Sequence, residues 1–503
     1  MKTRYILAIC CLPSFATAGL ASDGDDARRF TAERVFDLEY ADDPQISPDG
    51  STIIYARKSM DRFADQVVSD LWTIDTRSGS QRPLVSGQGS SSSVRWSPDG
   101  NRVIYLTSTN GKPDLRLRYQ DSGDSFSLTQ LEQGPGAPVW SPDGKSVAFS
   151  MLVPDEPATF AKPPKSPEGA DWAKPMRIID DLVFRFDGAG YLPKGKTQIF
   201  TLSAEGGTPR QVTHGENGFD APQWLGNDAL LVTGNEAEDA DLDPIESEIY
   251  RVDLASETVT ALTQRDGPDF APIVSPNGAR IAYRGYDDKL KSYQHSDVYV
   301  IAPDGSGVQN LTANFDRSID AIAWRPDGRA LVGQTEVDGI LTLVSIDLSG
   351  NVRNLVSDIG GTSLGRPYAS GSFSVASKAG GSSPMIAYTK GSSNRPAEVA
   401  LTRGSGNGRQ LTRLNEDALG RLDLARIEEI KVASTHDGRE IEAWVALPPN
   451  FRPDGTFPMI LEIHGGPNTM YGPYFAAEIQ RYAAEGYVTV YANPRGSTGY
   501  GES

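Results

Sequence analysis

"QISPDGSTIIYA", residues 45–56, decides the fold because the chain repeats it. It returns as "RWSPDGNRVIYL" (95–106), "VWSPDGKSVAFS" (139–150), "QWLGNDALLVTG" (223–234), "IVSPNGARIAYR" (273–284) and "AWRPDGRALVGQ" (323–334), with a degenerate copy over 372–391. In the plainest copies Pro sets φ for a tight turn and Asp-Gly or Asn-Gly accepts left-handed backbone. β-Branched or aromatic residues then alternate on the strand that follows. A second strand–turn–strand module follows each copy, as in "DLWTIDTRSGSQRPLV" and "TQIFTLSAEGGTPRQVT". Two hairpins per repeat make a four-stranded sheet with two faces to bury, so neighbours must stack. Ser47 to Ser97 and Ser275 to Arg325 are each about 50 residues apart. Seven copies predict a seven-bladed β-propeller over residues 40–415. Six or eight blades stay open at this stage, because the seventh turn is inferred. A two-sheet sandwich explains neither the period nor the paired modules.

The third repeat is stretched by an insertion over 154–192, Pro-rich and then amphipathic. A loop of that length is either functional or a surface excursion. Past "NEDALGRLDLARIEE" the pattern changes. "EEIKVAST" (428–435), the turn "HDG" (436–438) and "REIEAWVALP" (439–448) form a hairpin. A buried strand, "MILEI" (459–463), then ends in His464-Gly465-Gly466-Pro467. A helix over about 474–485, the strand "YVTVYA" (487–492) and the loop "NPRGSTGYG" (493–501) complete a β-loop-α-β unit. Antiparallel strands feeding such a unit open a doubly wound sheet. The predicted fold is therefore an all-β seven-bladed β-propeller followed by the first part of an α/β-hydrolase domain, the latter over 416–503.

The pair "HGGP…NPRGSTGYG" behind a propeller with "SPDG" turns resembles the prolyl oligopeptidase family of serine peptidases, closest to its acylaminoacyl-peptidase and dipeptidyl-aminopeptidase branches. The resemblance covers nearly all of the chain that follows a leader. It implies a Ser-Asp-His triad, a propeller that caps the active site and gates access to it, and oligopeptide substrates. It also implies an oxyanion loop at His464, Gly465 and Gly466, with a backbone N–H as donor. Asn493, Arg495 and Tyr500, in the loop that would wall the site, are the candidate substrate-binding residues.

In that family the nucleophile sits on a G-x-S-x-G elbow downstream of "RGSTGYG", with Asp and His later still, and Ser503 is the last residue here. The expectation is a chain cut before its triad and inactive alone. One G-x-S-x-G occurs, "GTSLG" at 361–365, but without a strand-then-helix context it reads as a chance match. His214 and His295 fall in propeller copies and His436 in a turn, where structural roles suit them better than base catalysis. Ser497 and Ser503 have no base in reach by sequence. The run Asp239, Asp241, Asp243 places Pro244 and Tyr250 where a calcium loop needs Gly and a carboxylate, so it reads as a solvated acidic loop. Relatives in the dipeptidyl branch hold a peptide amine with acidic residues. Glu428-Glu429, on opposite strand faces, and Asp180-Asp181 in the insertion are the acidic pairs available.

Lys2 and Arg4, an apolar stretch over 5–15 and Ala16-Thr17-Ala18 form a secretory signal cut near residue 18, followed by an N-terminal segment over 19–39. A lipoprotein leader fits less well, with Ile9 beside Cys10. Cys10 and Cys11 are the chain's only cysteines, so the exported protein has no thiol, disulfide or zinc-thiolate site. Periplasmic or secreted localisation follows. A net charge of −18 argues against nucleic-acid and anionic-membrane partners. No cofactor and no metal are expected, and the oligomeric state is open. The competing functional class is a non-catalytic periplasmic propeller that scaffolds partners; an esterase on the same sheet is a minor variant.

Overall fold

The structure is a computed structural model that describes residues 27–502 apart from 88, 110–111, 156–163, 174–175, 380–382 and 467. The leader over 1–18 with Cys10 and Cys11, Pro467 of the donor loop and Ser503 therefore lie outside the described residues.

Among the described residues, seven four-stranded antiparallel sheets follow one another along the chain, over 40–85, 91–130, 135–211, 219–261, 269–310, 319–356 and 373–410. The repeated turn explains the first connection in five of them. Ser47 Oγ donates to Asp49 Oδ1 at 2.6 Å, Gly50 N–H donates to Ser47 O at 2.9 Å, and Gly50 takes φ +76°. The pairing recurs at Ser97–Asp99, Ser141–Asp143 and Ser275–Asn277. Where the repeat carries Arg325 instead of Ser, its guanidinium holds Asp327 at 2.7 Å.

The tryptophan beside the turn joins sheet to sheet. Trp96 Nε1 donates to Gln45 O at 2.9 Å, Trp140 to Arg95 O at 3.1 Å, Trp224 to Val139 O at 3.2 Å and Trp324 to Ile273 O at 3.2 Å. Each indole thus closes a polar group inside an apolar seam. The first sheet also packs on the seventh. Ile53, Tyr55 and Ile74 share one buried cluster with Met385, Ala387 and Val399, and Ser374 Oγ donates to Pro44 O at 2.7 Å. The insertion leaves the third sheet after Ser146–Pro154 and returns at Gly195–Ser203, whose strands still pair in register. It carries a small hairpin, Arg185–Phe186 with Gly190–Tyr191.

An eighth sheet differs in kind. Strands β1 (Arg426–Ala433), β2 (Glu440–Leu447), β3 (Met459–Glu462) and β4 (Val488–Ala492) lie in the order β1-β2-β4-β3. β1, β2 and β4 are antiparallel neighbours, whereas β3 runs parallel to β4. A parallel neighbour needs a crossover, supplied here by helix α1 (Ala477–Ala484). Trp444, Ile479, Ala483 and Tyr491 form the core between α1 and the sheet. The N-terminal segment belongs to this end as well. Phe30 and Leu38 pack with Leu419, Phe475 and Ala477, and Arg29 pairs with Glu485 at 2.9 Å.

Coverage of this sheet is uneven. The reading of 459–463 as a buried strand is corrected: Met459, Leu461 and Ile463 are 63%, 57% and 67% exposed, because β3 is an edge strand with a neighbour on one side only. β4 is flanked by β2 and β3, with Thr489 and Tyr491 buried. Among the described residues no helix is long and apolar enough to cross a membrane.

Candidate active site

At the end of β3 the chain passes Ile463 and His464 into two glycines. Gly465 and Gly466 are exposed, and neither N–H has an acceptor among the described residues. Gly466 stands at φ +125°, where a Cβ would sit 2.8 Å from Asn468 N, so only glycine fits that position. Two adjacent amides without partners at the carboxyl end of a parallel strand can receive a developing oxyanion.

His464 is 6% exposed, so its side chain anchors the loop rather than meeting solvent. Its Nε2 lies 2.9 Å from Ser497 Oγ, and its ring meets Tyr471 edge-on at 4.9 Å. This corrects the reading that Ser497 has no base in reach. Ser497 Oγ is also 2.7 Å from Pro494 O, which can only accept. His464 Nδ1 lies 3.0 Å from Gly465 O, so the ring ties the glycine loop on one side to Ser497 on the other. Among the described residues the far side of the ring meets this backbone carbonyl and no carboxylate, so nothing orients His464 as a base for Ser497.

The loop over 493–501 is fastened to the glycine loop at several points. Asn493 is 3% exposed. Its Oδ1 accepts from Tyr471 N at 2.8 Å, while Nδ2 donates to Tyr471 O at 2.9 Å and to Tyr500 Oη at 2.8 Å. Tyr500 Oη donates in turn to Glu442 Oε2 on β2 at 2.5 Å. Burial and that carboxylate push the Tyr500 phenol well above its ordinary range, and burial raises Glu442. Thr498 N–H donates to Thr469 O at 3.0 Å. Sequence reading named Asn493 and Tyr500 for substrate contact; in the structure their hydrogen bonds fasten the glycine loop. Arg495 pairs with Asp437 in the β1–β2 turn. All three line a cleft of about 800 Å³, shared with Tyr293 and Ser292 from the fifth sheet. The cleft thus lies between the repeat sheets and the mixed sheet.

Other candidates stand apart. Ser363 lies in an irregular loop with no helix after it, its Oγ accepting from Arg366 N at 3.4 Å. His214 faces Glu257 at 3.7 Å on the surface. His295 sits 3.6 Å from Asp297, which raises its pKa. His436 lies in the exposed β1–β2 turn. Among the described residues no histidine links a serine to a carboxylate, and no group of three or more His, Cys, Asp or Glu could hold a metal. Asp180 is paired with Lys194, and Glu428 with Arg426 at 2.8 Å.

Comparison places this succession of seven four-stranded sheets and a mixed sheet beside peptidases in both fold and sequence. The fold matches the acylaminoacyl peptidase of Pyrococcus horikoshii with a TM-score of 0.72 at 20% identity, over 94% of this chain and 68% of that one. In sequence the chain is 28% identical to the uncharacterized peptidase YuxL of Bacillus subtilis, over 94% of this chain and 72% of that protein. It is 23% identical to dipeptidyl-peptidase 5 of Porphyromonas gingivalis, over 94% and 69%. No protein-family model matches the chain. In sequence and in fold the chain thus resembles peptidases, in line with the resemblance to the prolyl oligopeptidase family read from its motifs.

Proposed function

We propose that this chain is the propeller and leading hydrolase portion of an exported serine-type peptidase acting on oligopeptides. In this reading the seven sheets are blades that gate access to the cleft. The Gly465–Gly466 amides are the oxyanion donors, and Asn493, Arg495 and Tyr500 wall the substrate side. Export to the periplasm or the medium rests on the leader at residues 1–18. One observation carries the proposal: two adjacent amides, on exposed glycines at the end of a parallel strand, that have no acceptor among the described residues. A scaffolding propeller has no use for that arrangement.

Activation of a nucleophile needs a base oriented by a third group. The described residues offer only the His464–Ser497 contact, spent on the loop itself. The 503 residues alone are therefore expected to release no naphthylamine from peptidyl-naphthylamides. Turnover abolished by Ser363→Ala or Ser497→Ala would overturn that expectation. Binding tests the peptidase assignment separately. Fluorescein-labelled oligopeptides should bind, and Arg495→Ala should weaken them severalfold in anisotropy titrations; no binding to the unaltered chain would sink the assignment.

A further inference from the structure

The segment over 361–372, which carries the unused "GTSLG", runs between the sixth and seventh sheets and lies against the glycine loop. Tyr368 and Tyr471 form an antiparallel bridge with rings 4.9 Å apart. Ala369 N–H donates to Met470 O at 2.9 Å, and Gly472 N–H donates to Pro367 O at 3.0 Å. Arg366 reaches past this bridge into the mixed sheet. Its Nε donates to Glu462 Oε1 at 2.5 Å, and its Nη1 to Glu478 on α1. Glu462 is the last residue of β3, two before His464, and is 8% exposed. It also accepts from Tyr471 Oη at 3.4 Å. Glu478 is held by Tyr482 Oη at 2.5 Å.

The geometry points to a strut: Arg366, supplied by the repeat sheets, is a positioning residue that sets the end of β3, and through it the Gly465–Gly466 donor loop, against α1. The proposal rests on reading that loop as the oxyanion donor. The chemistry favours arginine at this point. One planar guanidinium engages two carboxylates from different elements, which an ammonium on a flexible stem does less well. Glu462 is largely removed from water, so without Arg366 its charge is uncompensated and the strand end must shift or take up a proton. Displacing the repeat sheets would then displace the donors, linking any gating movement directly to the chemistry.

Glycine-selective [15N] spectra of the full chain test this without turnover. Arg366→Met should shift or broaden Gly465, Gly466 and Gly472 and speed exchange of the Gly472 amide at least tenfold. Gly50, Gly100, Gly144 and Gly278 in the repeat turns should stay in place. Arg366→Lys should fall between. Gly465 and Gly466 resonances in Arg366→Met that superimpose on the parent's would overturn the proposal. Should that variant fail to fold, Glu462→Gln decides in its place: movement of the two glycines supports the strut, and no movement refutes it. These spectra report loop position whether or not the loop serves catalysis, so a failed peptidase assignment would show only in the peptide titrations.

Discussion

The seven repeat sheets and the terminal mixed sheet solve the same burial problem differently. Each repeat sheet hands its apolar faces to the next, and indole N–H groups cross the seams. The mixed sheet buries one face under α1 and the N-terminal segment, while Ile430, Val432, Met459 and Leu461 face outward. Repetition makes stability a sum of neighbour terms spread along the chain. The terminal sheet instead depends on a few long-range ties: Asn493, Arg366 and the clasp at Phe30. Stability resides in the first region, and the chemistry proposed for the chain in the second.

That contrast can be broken most forcefully where the first sheet meets the seventh. Tyr55 is fully buried there, and Tyr55→Ala should cost about 4 kcal/mol in urea unfolding. A loss near zero would mean the two end sheets do not support one another. Next comes Glu398 in the seventh sheet, 4% exposed, its carboxyl pushed up to about 7 by burial. Burial outweighs the bonds it accepts from Thr412 Oγ1 and Leu414 N. The folded state therefore binds this proton more tightly than the unfolded chain. The sign follows: its contribution is full below the unfolded value of 4.5 and is lost as pH rises toward 7. The fall should be on the order of 3 kcal/mol between pH 4 and 8, and Glu398→Gln should flatten that slope in paired melts.

In the terminal region, Asn493→Ala leaves both peptide groups of Tyr471 without their side-chain partner and should cost about 2 kcal/mol. The loss should be confined to the mixed sheet when hydrogen exchange is followed peptide by peptide. Leu461→Lys sharpens the comparison from the other side. On an exposed strand edge it should change stability by less than about 0.5 kcal/mol. The same change should reduce concentration-dependent light scattering, because an apolar edge invites pairing.

The repeat architecture was open to sequence reading because "SPDG" turns are local: Ser, Asp and Gly bond within five residues of one another. The HGGP loop was equally visible, since a glycine at φ +125° leaves a signature wherever it stands. What stayed hidden depends on partners far apart in the chain. The His464–Ser497 bond spans 33 residues and the Arg366–Glu462 pair 96; neither is marked by periodicity. The Trp before four of the turns was a legible signal for the seams, but its acceptor lies one repeat upstream. Asn493 looked like a loop residue because nothing local shows that its amide is spent on Tyr471.

Amide exchange at Gly465 and Gly466, read site by site in uniformly 15N-labelled protein, is the most direct test of the donor loop. Both should exchange near the rate of an unstructured peptide while Leu461 and Thr489 stay protected, leaving the pair available for an oxyanion. Slow exchange at the two glycines, matching the strand amides beside them, would mean they already serve a ladder, and the donor loop would cease to exist.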